Sequence, residues 1–250
     1  MINFIKKYLI FLEIFSLIFL LSSCSSTRNN QDKSQLSDIE MYSKGLTSLE
    51  KRNLDEATLE FDDVFLNYPF SSLASKAEIM SAYSLYENNE IQKAITKLSS
   101  FIEMNPKGEL TEYAHYLMAM CYYSQVSDEN RDPSTSMKSL NYFKLIITKF
   151  PNTKYARDSK LKMQFLKNTL AKNELNIGKF YLRKGAPASS IKRFKSILKD
   201  YQNTSVIPET LYRLSEALLT LGLKDEAIKS VALLDYNFPN NNWTKLSKNL

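Results

Sequence analysis

Glycine is scarce in this sequence, with only five in 250 residues. Nucleotide-binding loops and the turns of β-rich folds both depend on glycine, so the composition argues against a nucleotide-binding enzyme and against a β-sandwich or barrel. Tyrosine, phenylalanine, leucine, lysine and serine are abundant instead. The composition favours a helical protein that packs through aromatic side chains and has enough apolar residues for a substantial core.

Histidine and cysteine are almost absent. The only histidine is His115, and the two cysteines are Cys24 and Cys121. His115 and Cys121 are separated by about 600° around a helix, so their side chains face different directions. No second histidine could complete a metal site, and no Cys–His pair is spaced for nucleophilic attack. We therefore expect no catalysis, metal or cofactor, with His115 on a helix face and Cys121 as a small buried hydrophobic residue.

Long hydrophobic runs are missing except for one near the N-terminus. Lys6 and Lys7 precede an apolar stretch at 8–21 that Glu13 alone interrupts with a charge. The stretch is shorter than the roughly 20 residues that a helix needs to cross a bilayer, and it is typical of a secretory signal peptide. We assign residues 1–23 to a signal peptide and the polar residues 24–37 to a flexible tether.

The four residues that end at Cys24, "LSSC", resemble the bacterial lipobox. The resemblance implies that the chain is cut before Cys24 and that Cys24 is acylated, and several acyl chains would anchor the protein stably in a membrane. Ser25 and Ser26 follow, without the aspartate that marks retention at the inner membrane. The implied location is the periplasmic face of the outer membrane. The alternative is an uncleaved signal anchor in which Cys24 has no role.

Charge is distributed unevenly along the chain that follows the signal peptide. From Cys24 to Thr153 there are 13 basic and 18 acidic side chains, a net charge of −5. From Lys154 to Leu250 there are 18 basic and 8 acidic side chains, a net charge of +10. Two different partner surfaces would produce a split of this size, and the alternative is simple drift in surface composition. For the C-terminal half of an exported protein we expect an acidic protein domain or anionic lipid, and not nucleic acid.

A spacing pattern recurs along the chain. A small residue is followed twelve positions later by proline in four places and by glutamine in a fifth: Ala57/Pro69, Ala94/Pro106, Ser139/Pro151, Ala227/Pro239 and Ser190/Gln202. Apolar residues four and seven positions after the small residue share its helix face, and proline then ends the helix. Another small residue, such as Gly45 or Gly178, stands twelve positions earlier in four of the units. The pattern predicts helix pairs that cross closely at small residues.

This pattern resembles the tetratricopeptide repeat, whose period is about 34 residues. We predict an all-α protein, a superhelical solenoid of about five such helix pairs within residues 38–250. The predicted repeats cover about residues 38–70, 71–107, 110–152, 153–203 and 205–240. Eight extra residues in the third unit predict a loop at Ser127–Ser134. Fourteen extra residues in the fourth unit are close to four helical turns, which predicts one long fused helix near 154–184 with Gly178 buried inside it.

In the tetratricopeptide family, the first helix of each pair lines the concave side. The corresponding positions predict an apolar and aromatic groove in the first two units, formed by Tyr42, Leu46, Leu49, Ile79, Tyr83 and Tyr86. In the fourth and fifth units they are Leu175, Lys179, Leu182, Tyr212, Glu216 and Leu219. Tyrosine suits a peptide groove, because a rigid ring buries area at little entropic cost while its hydroxyl stays hydrated. The alternative is that these tyrosines only pack between repeats.

Four stretches resemble the BamD family of outer-membrane assembly lipoproteins: "CYYSQVSDENRDPSTSMKSLNYF", "KFPNTKYARDSKLKM", "YLRKGAPASSIKRF" and "NTSVIPETLYRLSEALLTLGLKDEA". The resemblance extends from Ile39 to Trp243. It implies a non-catalytic subunit of the β-barrel assembly machinery. In that family, the N-terminal repeats recognise the C-terminal strand of unfolded barrel proteins, and the C-terminal repeats dock the periplasmic domain of BamA. Accessory lipoproteins are further candidate partners.

The same resemblance suggests which residues would dock BamA. Arg193, in "IKRF", occupies the family position that we expect to face it, and Arg183, Lys184 and Arg213 are further candidates. Two other functions are considered. A repeat lipoprotein that coordinates cell-wall synthases would often carry a coiled coil, but the sequence has no heptad run. An enzyme of the lytic transglycosylase type would need a further domain with a catalytic glutamate, which we do not expect here.

Overall fold

The computed structural model describes residues 36–126 and 133–250. Four predicted features lie wholly or mostly outside this part: the signal peptide at 1–23, Cys24, the tether at 24–37 and the loop at Ser127–Ser134. Within the described residues every regular element is a helix, which confirms the all-α prediction. None of the helices in these two ranges combines the length and the apolar character needed to cross a membrane.

The described residues form eleven helices: α1 (Asp38–Glu50), α2 (Leu54–Asn67), α3 (Ala74–Glu87), α4 (Ile91–Met104), α5 (Thr111–Tyr123), α6 (Ser134–Lys149), α7 (Lys154–Arg183), α8 (Pro187–Asp200), α9 (Ile207–Thr220), α10 (Lys224–Asn237) and α11 (Asn242–Ser247). Each of the first ten helices packs chiefly against the helices before and after it, and the first helices α3, α5, α7 and α9 also contact one another in order, whereas α11 packs against both α9 and α10. The predicted solenoid of five helix pairs is confirmed, with the short α11 added after the last pair.

The repeat spacing identifies the packed face of each second helix. In the first four pairs, the residues four and seven positions after the small residue are almost fully buried: Phe61, Val64, Leu98, Phe101, Phe143, Ile146, Phe194 and Ile197. In the last pair Leu234 is buried, but Val231 is only partly buried. Val231 lines an open apolar groove of about 640 Å³ together with Ile228 and Leu250. This face remains partly open because α11 is too short to cover it as a full helix pair would.

Small residues allow the two helices of a pair to cross closely, as the spacing predicts. A Cβ atom on Gly178 would lie 2.4 Å from a ring carbon of Phe194, and one on Gly45 would lie 2.8 Å from the ring of Phe61. Ser190 adds a bond at the same crossing, because its hydroxyl donates to the carbonyl of Gly178 at 2.8 Å. Any larger side chain at these glycines would push the aromatic ring out of the core.

The long fused helix is also confirmed. Helix α7 runs without interruption for 30 residues from Lys154 to Arg183. Thr153 caps its N-terminus, since the Thr153 side chain accepts a hydrogen bond from the Ala156 amide at 3.1 Å. Helix α7 packs against α6 before it and against α8 after it. The fourteen extra residues therefore let one helix serve as the partner of two others while its apolar face stays in phase.

Proline is not the only feature that ends the second helix of a pair and fixes the turn after it. Helix α2 ends two residues before Pro69, as the pattern predicts, but α8 ends at the same repeat position before Gln202. In that turn, two side chains of α7 supply hydrogen bonds. Gln164 donates to the carbonyl of Asn203 at 2.7 Å. Asn168 accepts from the amide of Ser205 at 3.0 Å.

The residues considered for chemistry lie inside the helical core. Cys121 is fully buried and burial raises the pKa of its thiol to about 12, which confirms its prediction as a small buried hydrophobic residue. His115 lies on a helix face of α5 as expected, but that face is buried between the rings of Tyr142 and Phe150, with both centroids 6.2 Å away. Burial, and secondarily the positive charge of Lys149, lowers the pKa of His115.

Candidate protein-binding surfaces

The predicted groove residues of the first pair lie on α1. Tyr42 is half-buried, and its ring centroid is 5.4 Å from that of Phe61. Leu46 is exposed, so its side chain is available to a ligand. Leu49 is half-buried and packs against the core cluster that contains Phe61. Leu46 and Tyr42 therefore offer the accessible apolar surface on α1. The buried part of the Leu49 side chain stabilises the packing of α1 against α2.

The predicted groove residues of the second pair lie on α3 and differ in exposure. Ile79 is only 3 % exposed and belongs to the core cluster against which Tyr83 and Tyr86 pack, so its own side chain is not accessible to a ligand. Tyr83 and Tyr86 are half-buried with their ring centroids 6.4 Å apart. Burial, and after it the charge and hydrogen bond of Glu87, raises the pKa of Tyr83. Both tyrosines thus present a ring face and a protonated hydroxyl.

The third pair continues this surface with residues that the sequence reasoning missed. Ser139 donates to the carbonyl of Ala119, 20 positions earlier, whereas the equivalent bond in the fourth pair spans 12 positions. The difference of eight equals the length of the inserted loop. The groove positions of the third pair are therefore Tyr116, Met120 and Tyr123. Adding the eight inserted residues to the offsets used in the other units would have found them.

Tyrosine rings connect α5 to α7 at this point. The ring of Tyr155 lies 4.9 Å from that of Tyr116 and 5.4 Å from that of Tyr113, measured between centroids. The Tyr116 hydroxyl donates to Asp158 at 2.6 Å, and Lys162 lies 2.7 Å from the same carboxylate. Burial alone would raise the pKa of Asp158, but the bonds from Lys162 and Tyr116 outweigh it and lower that pKa. An ionised carboxylate is therefore fixed among aromatic rings.

The arrangement suits binding by surface contact. Half-buried rings give apolar area that is already ordered, so a ligand loses little side-chain entropy when it binds. An extended peptide could place alternate side chains between such rings and leave its polar backbone near the tyrosine hydroxyls. In the ranges 36–126 and 133–250, no group of three or more His, Cys, Asp or Glu side chains is arranged to hold a metal ion.

Three of the four predicted docking cations lie around the end of α7 and on α8. Arg183 and Lys184 are exposed at the end of α7. Arg193 on α8 is 3.0 Å from the carboxylate of Glu174, yet 41 % of its side chain remains exposed. Arg193 also lines a pocket of about 330 Å³ together with Lys192. This pocket is a polar, cationic depression that a carboxylate of another protein could enter.

Arg213 is held more firmly than Arg193. Its guanidinium lies 2.8 Å from the carboxylate of Glu216, and it is 5.3 Å and 5.2 Å from the ring centroids of Tyr212 and Trp243. These contacts join α9 to α11. Within the described residues, Arg193 pairs with Glu174 and Arg213 pairs with Glu216. Arg213 chiefly stabilises the packing of α11 against α9.

Comparison with known proteins identifies the family. Residues 34–233 match the family described as YfiO, outer membrane lipoprotein. The chain is 41% identical over 203 residues to outer membrane protein assembly factor BamD of Rickettsia prowazekii (strain Madrid E), a match that covers 81% of each chain. The chain belongs to the BamD family. Another BamD-family protein, from Caulobacter vibrioides, is 37% identical over 81% of this chain and 67% of that one.

Solved structures with a similar helical arrangement are more distant than these BamD-family sequences. The TPR2AB domain of yeast Sti1, solved in a pHSP90 complex, has a TM-score of 0.49 and 16% identity, covering 84% of this chain and 81% of that one. A TPR protein of Thermus thermophilus has a TM-score of 0.39 and 17% identity, covering 86% and 100%. Neither likeness bears on the function of this BamD-family chain.

Proposed function

We propose that the chain is a non-catalytic lipoprotein subunit of the outer-membrane β-barrel assembly machinery, anchored at the periplasmic face of the outer membrane through acylated Cys24. The observation that carries the proposal is the 41% identity over four-fifths of both chains with a relative named as an outer membrane protein assembly factor. A helical solenoid supports it, because a solenoid offers extended surfaces to several polypeptides at once. Accessory lipoproteins are further candidate partners.

The N-terminal repeats would bind unfolded barrel proteins. The C-terminal strand of such a protein is extended, apolar on alternate side chains and ends in an aromatic residue. Tyr42, Leu46, Tyr83 and Tyr86 offer apolar and aromatic surface on α1 and α3, and Tyr116 extends it onto α5. Leu49 and Ile79 would act from within the core by holding these side chains in place. The chemistry of the groove and of the peptide is therefore complementary.

The C-terminal repeats would dock the periplasmic domain of a BamA-type barrel protein. Arg193 is the strongest docking candidate, because its charge is accessible although Glu174 orients it. Arg183 and Lys184 add exposed positive charge at the end of α7. Arg213 is a weaker candidate, since Glu216 and two rings already surround its guanidinium. The net charge of +10 after Thr153 favours an acidic partner surface.

Affinity purification from detergent-solubilised membranes tests the complex as a whole. The full acylated chain is expected to retain a large barrel protein with periplasmic repeat domains. Recovery of cell-wall synthases without such a barrel protein would contradict the proposal and favour the alternative, a repeat lipoprotein that coordinates cell-wall enzymes.

Variants separate the two binding surfaces. We expect Tyr83→Ala combined with Tyr86→Ala to weaken binding of a peptide copied from the C-terminal strand of a barrel protein by about tenfold or more, since loss of two anchor rings costs at least about 1.4 kcal/mol. Tyr236→Ala is the matched control, because Tyr236 lies on α10 and is highly exposed. Fluorescence anisotropy of the labelled peptide measures both. Equal loss in the control would argue against the groove.

A second pair of variants addresses the docking surface. Arg193→Gln is expected to weaken binding to the isolated periplasmic domain of the BamA-type protein while peptide binding stays unchanged. Lys172→Gln is the control, because Lys172 is an exposed cation on α7 in the same basic half. If Arg193→Gln binds the periplasmic domain as tightly as Lys172→Gln does, Arg193 is not part of the docking surface.

A further inference from the structure

Three exposed apolar side chains lie at one end of the first helix pair. Ile39 near the start of α1 is 65% exposed, Leu66 near the end of α2 is 70% exposed, and Phe70 in the following turn is fully exposed. The hydroxyl of Ser71 donates to the carboxylate of Asp38, which holds the α2–α3 turn beside the start of α1. We call these three side chains the entry patch, because the chain enters the repeat domain there.

Phe70 is the most informative member of the entry patch. Its side chain is not part of the hydrophobic core. Burial of a phenylalanine side chain would stabilise the folded protein by about 1.5–3 kcal/mol. Single exposed apolar residues are ordinary, but a fully exposed aromatic ring beside two exposed aliphatic side chains marks a surface that contacts something else. Ile39 lies on α1 one turn before the groove residue Tyr42, whereas Leu66 lies on α2 and Phe70 in the turn after it.

The position of the patch along the chain points to its occupant. Asp38 follows Cys24 by fourteen residues. Even a fully extended segment of this length spans at most about 50 Å, so an acylated Cys24 confines this end of the solenoid to the neighbourhood of the membrane. Three apolar side chains bind a bilayer too weakly to act alone, but a tethered surface meets the bilayer at an effective concentration in the millimolar range.

The charges near the patch indicate the type of lipid. Glu40 and Asp63 are exposed acidic residues close to Ile39 and Leu66 along the sequence. Carboxylates are repelled by anionic headgroups, so a surface of zwitterionic phospholipid is favoured. Aromatic rings such as that of Phe70 are stable at the boundary between headgroups and acyl chains.

We propose that the entry patch rests on the zwitterionic phospholipid surface to which the chain is anchored, with Phe70 and Leu66 at the boundary between headgroups and acyl chains. This inference rests on the acylation of Cys24 in the proposed function. The contact would hold the first helix pair against the bilayer and orient the groove relative to it. The anchor supplies attachment, and the patch supplies orientation.

Quenching by brominated lipids tests the contact. The full acylated chain is incorporated into vesicles of phosphatidylcholine and phosphatidylethanolamine with brominated acyl chains. The wild-type protein has one tryptophan, Trp243, which gives the reference emission. In Phe70→Trp, the emission that the new tryptophan adds is expected to be largely quenched by the brominated acyl chains. In the control Tyr236→Trp, at a highly exposed position on α10, it is expected to be retained. Leu66→Ser in the Phe70→Trp protein is expected to restore part of the emission.

The outcomes separate the patch from the anchor. Flotation of the vesicles first shows whether the protein is attached, and failure to float would contradict both the anchor and the patch. Flotation with equal emission from Phe70→Trp and Tyr236→Trp would overturn the patch alone. Quenching that requires phosphatidylglycerol and disappears in salt would also overturn it. A blue shift of Phe70→Trp caused only by the BamA-type periplasmic domain would assign the patch to a protein and overturn the proposal.

Discussion

Gly178 sets the distance between α7 and α8, and its replacement gives the first prediction. Gly178→Ala is expected to lower the free energy of unfolding by about 1–3 kcal/mol, because the new methyl group would lie 2.4 Å from Phe194 in a packed core. This is a net loss, because it already includes the gain of about 1 kcal/mol that alanine brings to a helix interior, so the steric cost alone is larger. Urea unfolding of the purified protein measures the difference.

A matched substitution on the same helix isolates the steric effect. Asn176→Ala changes an exposed residue two positions away and is expected to alter the unfolding free energy by no more than about 0.5 kcal/mol. If Gly178→Ala proved as stable as Asn176→Ala, the close crossing at Gly178 would not limit the packing of α8.

His115 gives a pH-dependent prediction. Because burial lowers its pKa below the ordinary value of 6.5, the unfolded chain binds the proton more readily than the folded chain. The stability that neutral His115 contributes is therefore fully present above the unfolded pKa of 6.5. It is lost as the pH falls from there through the lowered pKa of the folded protein, by at most about 1.4 kcal/mol per pH unit. Unfolding free energies of wild type and His115→Gln between about pH 7.5 and pH 5.5 measure this slope.

The expected difference is a steeper loss of stability on acidification in the wild type than in His115→Gln. Lys149 is the charged group that contributes to the lowered pKa, and protonation of His115 would place a second positive charge nearby. Identical slopes in the two proteins would mean that His115 is protonated with similar ease in the folded and unfolded chains.

At the residue scale, the sequence predicted which positions require small residues better than it predicted which side chains contact each other. The spacing located Gly45 and Gly178 because a close crossing excludes larger side chains at fixed offsets. It could not predict that Arg213 lies over the ring of Trp243, since that contact depends on how the short α11 folds back onto α9. Long-range contacts of this kind have no periodic signal.

At the scale of elements, the turn between α8 and α9 illustrates how a missing proline is compensated. Asn168 on α7 accepts from the amide of Ser205 at 3.0 Å. Asn168→Ala is expected to speed hydrogen exchange of the Ser205 amide and to destabilise the protein by about 0.5–1.5 kcal/mol, the usual net value of one hydrogen bond. Amide exchange followed by NMR or mass spectrometry over residues 201–206 measures the first effect.

The control for this turn is again Asn176→Ala, which changes an exposed asparagine of α7 that lies further along the helix than the two side chains bonded to the turn. It is expected to leave exchange at residues 201–206 unchanged. Equal protection of Ser205 in both variants would show that helix packing alone holds the turn, without the side chain of Asn168.

The elements themselves were largely predictable. Apolar periodicity and proline positions predicted the helix pairs, and an insertion of whole turns predicted α7. The groove of the third pair was not predicted, although Tyr116 follows the same rule as Tyr83. The reason is physical: an insertion between two helices shifts the sequence offset without moving the helices relative to each other.

At the scale of the whole molecule, the separation of charge supports two surfaces of different chemistry. The N-terminal groove is aromatic, and binding there would depend mainly on burial of apolar area. The C-terminal half carries a net charge of +10, so binding there would depend on attraction to an acidic partner. The two kinds of interaction respond differently to dissolved salt, which screens charges but not apolar contacts.

Salt therefore distinguishes the two surfaces in one protein. Raising the salt concentration from about 0.1 M to about 1 M shortens the screening length from about 10 Å to about 3 Å. Affinity for the isolated BamA-type periplasmic domain is expected to fall markedly, whereas affinity for the barrel-strand peptide is expected to change little. Calorimetric titration of the same purified chain with each ligand measures both. A parallel fall for the two ligands would mean that the groove binds its peptide through charge, and its tyrosines would then have a packing role only.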